Sequence, residues 1–526
     1  MTTAHETVGS QLVLLFEAAG IRAAFGIPGT HNLELYRGLS RSNIRTVTTR
    51  HEQSAAYAAD AYAKTTGEPA LVIATSGPAV LNALVGVGTA YAESRPLILI
   101  APGRPSGAAK DAGELHELGD VYAAGDAMTA WSHRIVEAEE VPVVVAEALR
   151  RVRAGRRRPV FIEVPLDLLD QPAAHAGSRA AARTSTPPLD QDSLARAAAL
   201  LGAASKPVII AGGGATGLSG LRQLVEALGA VVVTTMNGKG ALAETHPLSV
   251  GSSISSPSVM DVVNASDAVL AIGTELAESD LGPQRVTASH LIRVDIEQNQ
   301  LDRNASPAVR LRGDAGRVID ALLPLIEDVG PARRAEAGHR VAALRAGIAG
   351  ELGEDAETAH AIIAGLPGDA ILTADSSQVV YAGLAFEAFC ARPDQFVYMS
   401  RSATLGYALP AAIGAAVAYS DRPIVAVAGD GAFLFSCQEL ATVAEEQLAV
   451  TVVIVDNGGY AEIEAQEVAR GIPPIGVRFT NPDFAALGRA FGIESVLCTS
   501  LDDLTEAVRA ATASQAPRLI SYRMNS

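Results

Sequence analysis

A chain of 526 residues is too long for one hydrophobic core and suggests roughly three or four domains. It is 48% hydrophobic but only 4% aromatic, which favours an Ala/Val/Leu/Ile interior of sheets covered by helices over an aromatic-rich binding surface. A net charge of −17, with no basic run longer than 156–158, argues against nucleic acid as a partner. The opening "MTTAHETVGSQ" has no charged segment leading into an apolar one, and no apolar run reaches membrane-spanning length. Cys390, Cys437 and Cys498 are too widely spaced for a disulfide framework or a zinc site. The expectation is a cytoplasmic α/β protein without a membrane partner.

Apolar β-branched runs alternate with Ala-rich helical stretches along the chain, the pattern of mostly parallel sheets flanked by helices. The first block predicts strands at 23–27, 46–49, 70–74, 97–101 and 160–164. Glu52, in "RHEQSAAYAADAYA", starts an Ala-rich helix after a strand. An acid there is ordinary helix-start chemistry. A catalytic reading would need a poorly solvated pocket in which a raised pKa lets the group give and take a proton. The stretch "TSGPAVLN" at 75–82 makes another strand-to-helix turn and ends on the amide of Asn82. A Pro/Ser/Thr/Ala stretch at 171–191 reads as a linker.

The second block predicts strands at 208–211, 231–235, 268–272 and 291–294. It carries a G-x-G-x-x-G at 212–217, the feature of an alternative reading as a nicotinamide- or flavin-dependent oxidoreductase. That fingerprint needs an acid at the end of the next strand, yet none occurs between Glu226 and Glu244, so a tight glycine turn is favoured. A charged Ala/Arg/Glu stretch at 331–351 leads to a third block, with strands at 371–373, 424–428, 450–455 and 519–522. There "SATLGYALPAAIGA" places Leu405 beside Gly406 in a loop before a helix, where a lone leucine is ordinarily core.

The most informative stretch is "GDGAFLF" at 429–435, directly after an apolar run. A second run ends in "DNGGY", placing Asn457 27 residues after Asp430, about one strand–helix–strand unit. Parallel strands open their carboxyl ends on one edge, where ligands of such sheets bind. A carboxylate, an amide oxygen and the Gly459 carbonyl form a hard oxygen shell suited to Mg²⁺, which takes further ligands from phosphate oxygens. Glycines and helix-start amides favour a nearby anion. The stretch predicts Mg²⁺ and a diphosphate.

"RHEQSAAYAADAYA", "TSGP…N", "TLGYALPAAIGA" and "GDG…DNGGY", in this order, resemble the thiamine-diphosphate-dependent 2-oxo-acid decarboxylases and acetohydroxyacid synthases over nearly the whole chain. The resemblance implies a pyrimidine-binding domain at 1–172, a central Rossmann-like domain at 190–330 and a diphosphate-binding domain at 355–526. It implies that Glu52 hydrogen-bonds the cofactor's aminopyrimidine and that Asp430, Asn457 and Gly459 hold Mg²⁺. Leu405 would wedge the cofactor, with Ala403 near its amino group. Asn82, Ser377, Gln378, Gly429, Gly431, Ala432 and Tyr460 would complete the cofactor site. Thr30, His31 and His116 become further catalytic candidates. Family members build this site between two chains, so a homodimer or homotetramer is implied.

Departures narrow the reading. Asp456-Asn457 replaces the family's Asn-Asn, and Gly77-Pro78-Ala79 replaces Gly-Pro-Gly. Thr75 stands where benzoylformate decarboxylases carry histidine. The chain given ends at "PRLISYRMNS", without the synthases' long tail, and "YAEIEAQEVARGI" replaces their Gln-Trp-Gln stretch. "GELHELGD" and "GGYAEI" look like decarboxylases of basic 2-oxo acids such as 5-guanidino-2-oxopentanoate. The expectation is a decarboxylase, with an acetolactate-forming carboligase as the alternative. Glu117, Asp120 and Glu462 are the acids nearest the family's active-site loops and so candidates for a substrate guanidinium, with Glu462 the first choice because it lies five residues past Asn457.

Overall fold

A computed structural model of the chain describes residues 6–173, 188–352, 356–478 and 480–524. Of the expected linker, residues 174–187 lie outside the described residues. The described chain is α/β throughout, with three parallel sheets flanked by helices. Its contacts divide it into two units, one of residues 1–184, 366–377 and 402–526, the other of residues 185–365 and 378–401.

The first unit contains two sheets. One is built from β1 (Ala23–Gly26), β2 (Arg45–Thr48), β3 (Ala70–Ile73), β4 (Leu97–Gly103), β5 (Trp131–Arg134) and β6 (Val160–Pro165), in the order β2-β1-β3-β4-β6-β5. The inner strands are continuous apolar runs because helices cover both faces; Leu71, Val72, Ile98 and Leu99 are fully buried. Each such side chain contributes about 1.5–3 kcal/mol of transfer free energy.

In the second unit, β7 (Pro207–Ala211), β8 (Val231–Thr234), β9 (Ser249–Gly251), β10 (Ala268–Ile272), β11 (Leu291–Asp295) and β12 (Val309–Arg312) run in the order β12-β11-β10-β7-β8-β9. The 212–217 glycines make a tight turn after β7, with Gly212 packed on the Gly273 carbonyl and no acid at the end of β8. The charged stretch forms the helix Gly330–Leu352, which buries Ala337, Val341, Leu344 and Ile348 at helical spacing. A short strand, β14 (Phe396–Val397), also lies in this unit. Its 378–401 segment is pinned by a buried ion pair, Lys239 Nζ to Glu244 Oε2 at 2.9 Å, because Glu244 Oε2 also accepts the Cys390 amide at 2.7 Å.

The first unit's other sheet contains β13 (Ile371–Ala374), β15 (Ile424–Gly429), β16 (Val450–Asp456), β17 (Glu494–Cys498) and β18 (Arg518–Arg523), in the order β13-β15-β16-β18-β17. The Ala-rich helices Glu52–Thr66 and Ala408–Ala418 pack closely, their small side chains permitting the approach. Beneath them Asp60 Oδ2 accepts from both Arg95 and the Tyr407 hydroxyl at 2.5 Å, a fully buried polar node. The three cysteines are free thiols, and no described helix is long and apolar enough to cross a membrane.

Candidate active site

The strands β15 and β16 are parallel neighbours in the register Gly429 with Val455, so Asp430 and Asp456-Asn457 emerge at one sheet edge. Asp430 is 2% exposed and begins the short helix Asp430–Phe433, its Oδ1 accepting the Gly431 amide at 2.8 Å. Its Oδ2 accepts the Gly458 amide at 3.0 Å. Gly459 has φ +155°, and a Cβ there would lie 2.0 Å from the Val477 carbonyl oxygen, so only glycine fits this bend. The bend is closed by Tyr460 N–H donating to Val477 O at 2.8 Å.

The sequence reading did not single out Asn481. Its Nδ2 donates to Asp430 Oδ2 at 2.5 Å and to Asp456 Oδ1 at 2.7 Å, joining the two carboxylates. Its Oδ1 is buried without a hydrogen-bond partner. Burial pushes the Asp430 carboxyl upward, and the nearby Asp456 charge adds to the shift. Around the predicted ligands Asp430, Asn457 and Gly459, a second carboxylate and an orphaned amide oxygen leave an oxygen-rich setting that suits a hard divalent cation. The residues present therefore fit Mg²⁺.

Glu52 opens its helix behind His51, whose ring accepts the Gln53 amide at 3.1 Å. The Glu52 carboxylate is half-buried rather than enclosed, and Oε2 accepts from Asn82 Nδ2 at 3.0 Å. Two predicted residues, from the helices Glu52–Thr66 and Pro78–Glu93, thus meet. One residue on, Gln53 Nε2 donates to the Tyr57 hydroxyl at 2.9 Å.

Ala403 and Leu405 lie on the turn before Ala408–Ala418, with Ala403 exposed at φ +45° and Leu405 half-buried. Asp375, which the sequence reading also missed, holds this turn. Its carboxylate accepts the amides of Ser376 and Gly406 at 3.1 Å and of Ala408 at 3.0 Å. Burial pushes this carboxyl up to about 6. The only sequence signal is an Asp at the end of a buried strand, "ILTAD", the same signal that marks Asp430. Ser377 lies against Gly429, and Gln378 begins the second unit's 378–401 segment.

Thr30 and His31 sit on a single turn, Thr30–Asn32, fixed by Gly29 N–H donating to Asn32 Oδ1 at 2.8 Å. His31 Nδ1 lies 2.6 Å from Ser76 Oγ, and His116 Nδ1 lies 3.1 Å from the same oxygen. His116 shares the wall of a cavity of about 260 Å³ with Glu117, Asp120 and Glu163. Within it Glu117 accepts the amides of Asp111 and Gly113, and Asp120 caps the following helix through the Ala123 amide. Glu163 was missed inside the apolar run of β6; burial pushes its carboxyl up, and Arg134 lies 2.8 Å away. Glu462 stands apart on the exposed helix Ala461–Ala469, accepting from Gln466 at 2.9 Å.

Three family models match: the thiamine pyrophosphate enzyme N-terminal binding domain over 6–124, the central domain over 194–322 and the C-terminal binding domain over 379–522. A Pseudomonas aeruginosa protein described as a "Probable 2-ketoarginine decarboxylase" is 40% identical over 98% of this chain and 94% of its own. The Escherichia coli acetolactate synthase isozyme 1 large subunit is 28% identical over 100% of this chain and 95% of its own. The isozyme 2 large subunit of the same organism is 29% identical over 97% and 94%. The chain belongs to the thiamine pyrophosphate enzyme family, with binding domains for that cofactor towards both ends.

Proposed function

We propose that the protein decarboxylates a 2-oxo acid to an aldehyde and CO₂ without oxidation, using thiamine diphosphate and Mg²⁺, and that the substrate carries a guanidinium, as in 5-guanidino-2-oxopentanoate. The observation that carries this reading is the 40% likeness to a 2-ketoarginine decarboxylase over nearly the whole chain. When bound, thiamine diphosphate would supply a nucleophilic carbon for the keto group and an electron sink for the pair left behind when CO₂ departs.

The chain's own residues do the rest. Glu52 exchanges a proton with the aminopyrimidine N1′, with Asn82 holding its carboxylate in place. Asp430, Asn457 and the Gly459 carbonyl hold Mg²⁺, and Asn481 orients Asp430. Ser377, Gly429, Gly431, Ala432 and Tyr460 serve the diphosphate, while Leu405 and Ala403 support the rings. Thr30, His31 and His116 serve the reacting carbon. Glu117 and Asp120, which share a cavity with His116, face the substrate's cationic end, and Glu462 is the third candidate for it.

The domain bounds 1–172, 190–330 and 355–526, a cytoplasmic location and a homodimer or homotetramer belong to the same proposal. Leu81 and Val85, 42% and 50% exposed on the helix that carries Asn82, support a second chain at this face. An acetolactate-forming carboligase is the second reading, favoured by the likeness to acetolactate synthases. A panel of 2-oxo acids assayed for CO₂, aldehyde and acetolactate tests both. CO₂ with the matching aldehyde supports the decarboxylase, and acetolactate from pyruvate supports the carboligase.

A further inference from the structure

Ser76 carries a single hydroxyl proton, yet its oxygen contacts Nδ1 of both His31 and His116. That proton can be given to one ring only, so the other ring must donate its own Nδ1–H to the oxygen. A neutral imidazole has one N–H and one bare nitrogen, so the two rings are forced into opposite states. The 2.6 Å contact suits the hydroxyl donating to His31, and the 3.1 Å contact suits His116 Nδ1–H donating to the hydroxyl. His31 then presents Nε2–H, and His116 presents a bare Nε2.

We propose that Ser76 is a hydroxyl bridge that locks His31 and His116 into opposite tautomers and passes a proton between them. The backbone is bent to make this possible. His116 is held at φ +64°, a conformation that costs a non-glycine residue energy and is typically kept at functional sites. Gly77 answers it at φ +61°, where a Cβ would lie 2.2 Å from the His116 carbonyl oxygen. The rings meet edge to face with centroids 5.1 Å apart, and Ser76 and His116 both line the cavity. Burial, then the neighbouring His116, holds His31 towards its neutral form, with Glu114 opposing.

This inference rests on the decarboxylase reading, whose proton balance it completes. When the bond to the carboxylate breaks, CO₂ leaves and the remaining electron pair ends in a new C–H bond, so one proton is consumed. The proton leaves His31 Nε2 as the Ser76 proton moves to His31 Nδ1. The His116 Nδ1 proton moves to Ser76, and His116 Nε2 takes one from water. Neither ring gains net charge, both tautomers invert, and exchange with water at the two Nε2 atoms restores them.

The test uses holoenzyme with ¹⁵N-labelled histidine, the two rings identified through His31→Gln and His116→Gln. Long-range ¹H–¹⁵N spectra of the wild type should show Nε2–H on His31 and Nδ1–H on His116. Ser76→Ala should remove that difference and lower kcat about 10²-fold, within the range of acid–base groups, with KM little changed. Ser76→Thr, which keeps the hydroxyl, should restore most of kcat. The same tautomer on both wild-type rings, or Ser76→Ala at wild-type kcat, overturns the bridge. Failure of the wild type to release CO₂ from any 2-oxo acid overturns the decarboxylase reading instead, while the spectra still decide the bridge.

Discussion

The hydroxyls of Tyr57 and Thr404 lie 2.8 Å apart, joining the helix that begins at Glu52 to the turn that carries Ala403 and Leu405. The proposed proton-exchanging acid and the proposed ring support are thus parts of one hydrogen-bonded frame. Tyr57 is fully buried, and its hydroxyl also accepts from Gln53 Nε2 at 2.9 Å. Tyr57→Phe should lose about 0.5–1.5 kcal/mol, and more if Thr404 is left unpaired. We expect a lower Tm and several-fold weaker thiamine diphosphate binding by calorimetry; wild-type values for both would show that the frame does not set the site.

Asp375 gives a pH prediction. Burial raises its carboxyl from 3.8 to about 6, so the folded chain binds this proton more tightly than the unfolded chain does. Its stabilising contribution is therefore full below pH 3.8 and is lost as pH rises through about 6. Asp375→Asn cannot titrate. Between pH 4 and 6, the stability of the wild type relative to this variant should fall as pH rises, as measured by urea unfolding. Parallel curves across that window would contradict the assignment.

The metal loop makes a graded prediction. Asp430→Ala should abolish Mg²⁺-dependent cofactor binding, because a charged ligand is removed. Asn481→Ala should weaken Mn²⁺ binding, read by electron paramagnetic resonance, by about 10–100-fold, the usual effect of losing a residue that orients a ligand. Unchanged Mn²⁺ affinity in the Asn481 variant would reduce that residue to a packing role.

Glu52→Gln should keep the fold and cofactor affinity while losing about 10²–10⁴-fold in activity, since an amide cannot pass a proton to N1′. Normal turnover at saturating cofactor would leave Glu52 as a helix-start acid held by Asn82.

What the sequence made legible follows the burial pattern. Inner strands such as β10 and β16 are unbroken apolar runs, buried throughout, and were found within a residue or so of their observed ends. The missed strands are β5, β9, β12, β14 and β17. β5, β9, β12 and β17 sit at sheet edges, and β14 and β9 are only two and three residues long. β12 alternates buried and exposed, and β17 is mostly exposed, so neither carries a continuous apolar signal. The site shows the same division. Asp430 and Asn457 stand at the ends of inner strands, where spacing alone pairs them. Asn481, Asp375 and Ser76 act through contacts with residues 51, 31 and 40 positions away, which no local pattern announces.

Product analysis of wild-type holoenzyme given 5-guanidino-2-oxopentanoate and, separately, pyruvate separates the decarboxylase from the carboligase. A charge-assisted hydrogen bond to the guanidinium contributes about 1.5–3 kcal/mol, or roughly 10–150-fold in selectivity. The first substrate should yield CO₂ and the guanidino aldehyde in equal amounts, at a kcat/KM above that for a neutral branched 2-oxo acid by a factor in this range. Preference for pyruvate with release of acetolactate would contradict the decarboxylase reading and establish the carboligase in its place.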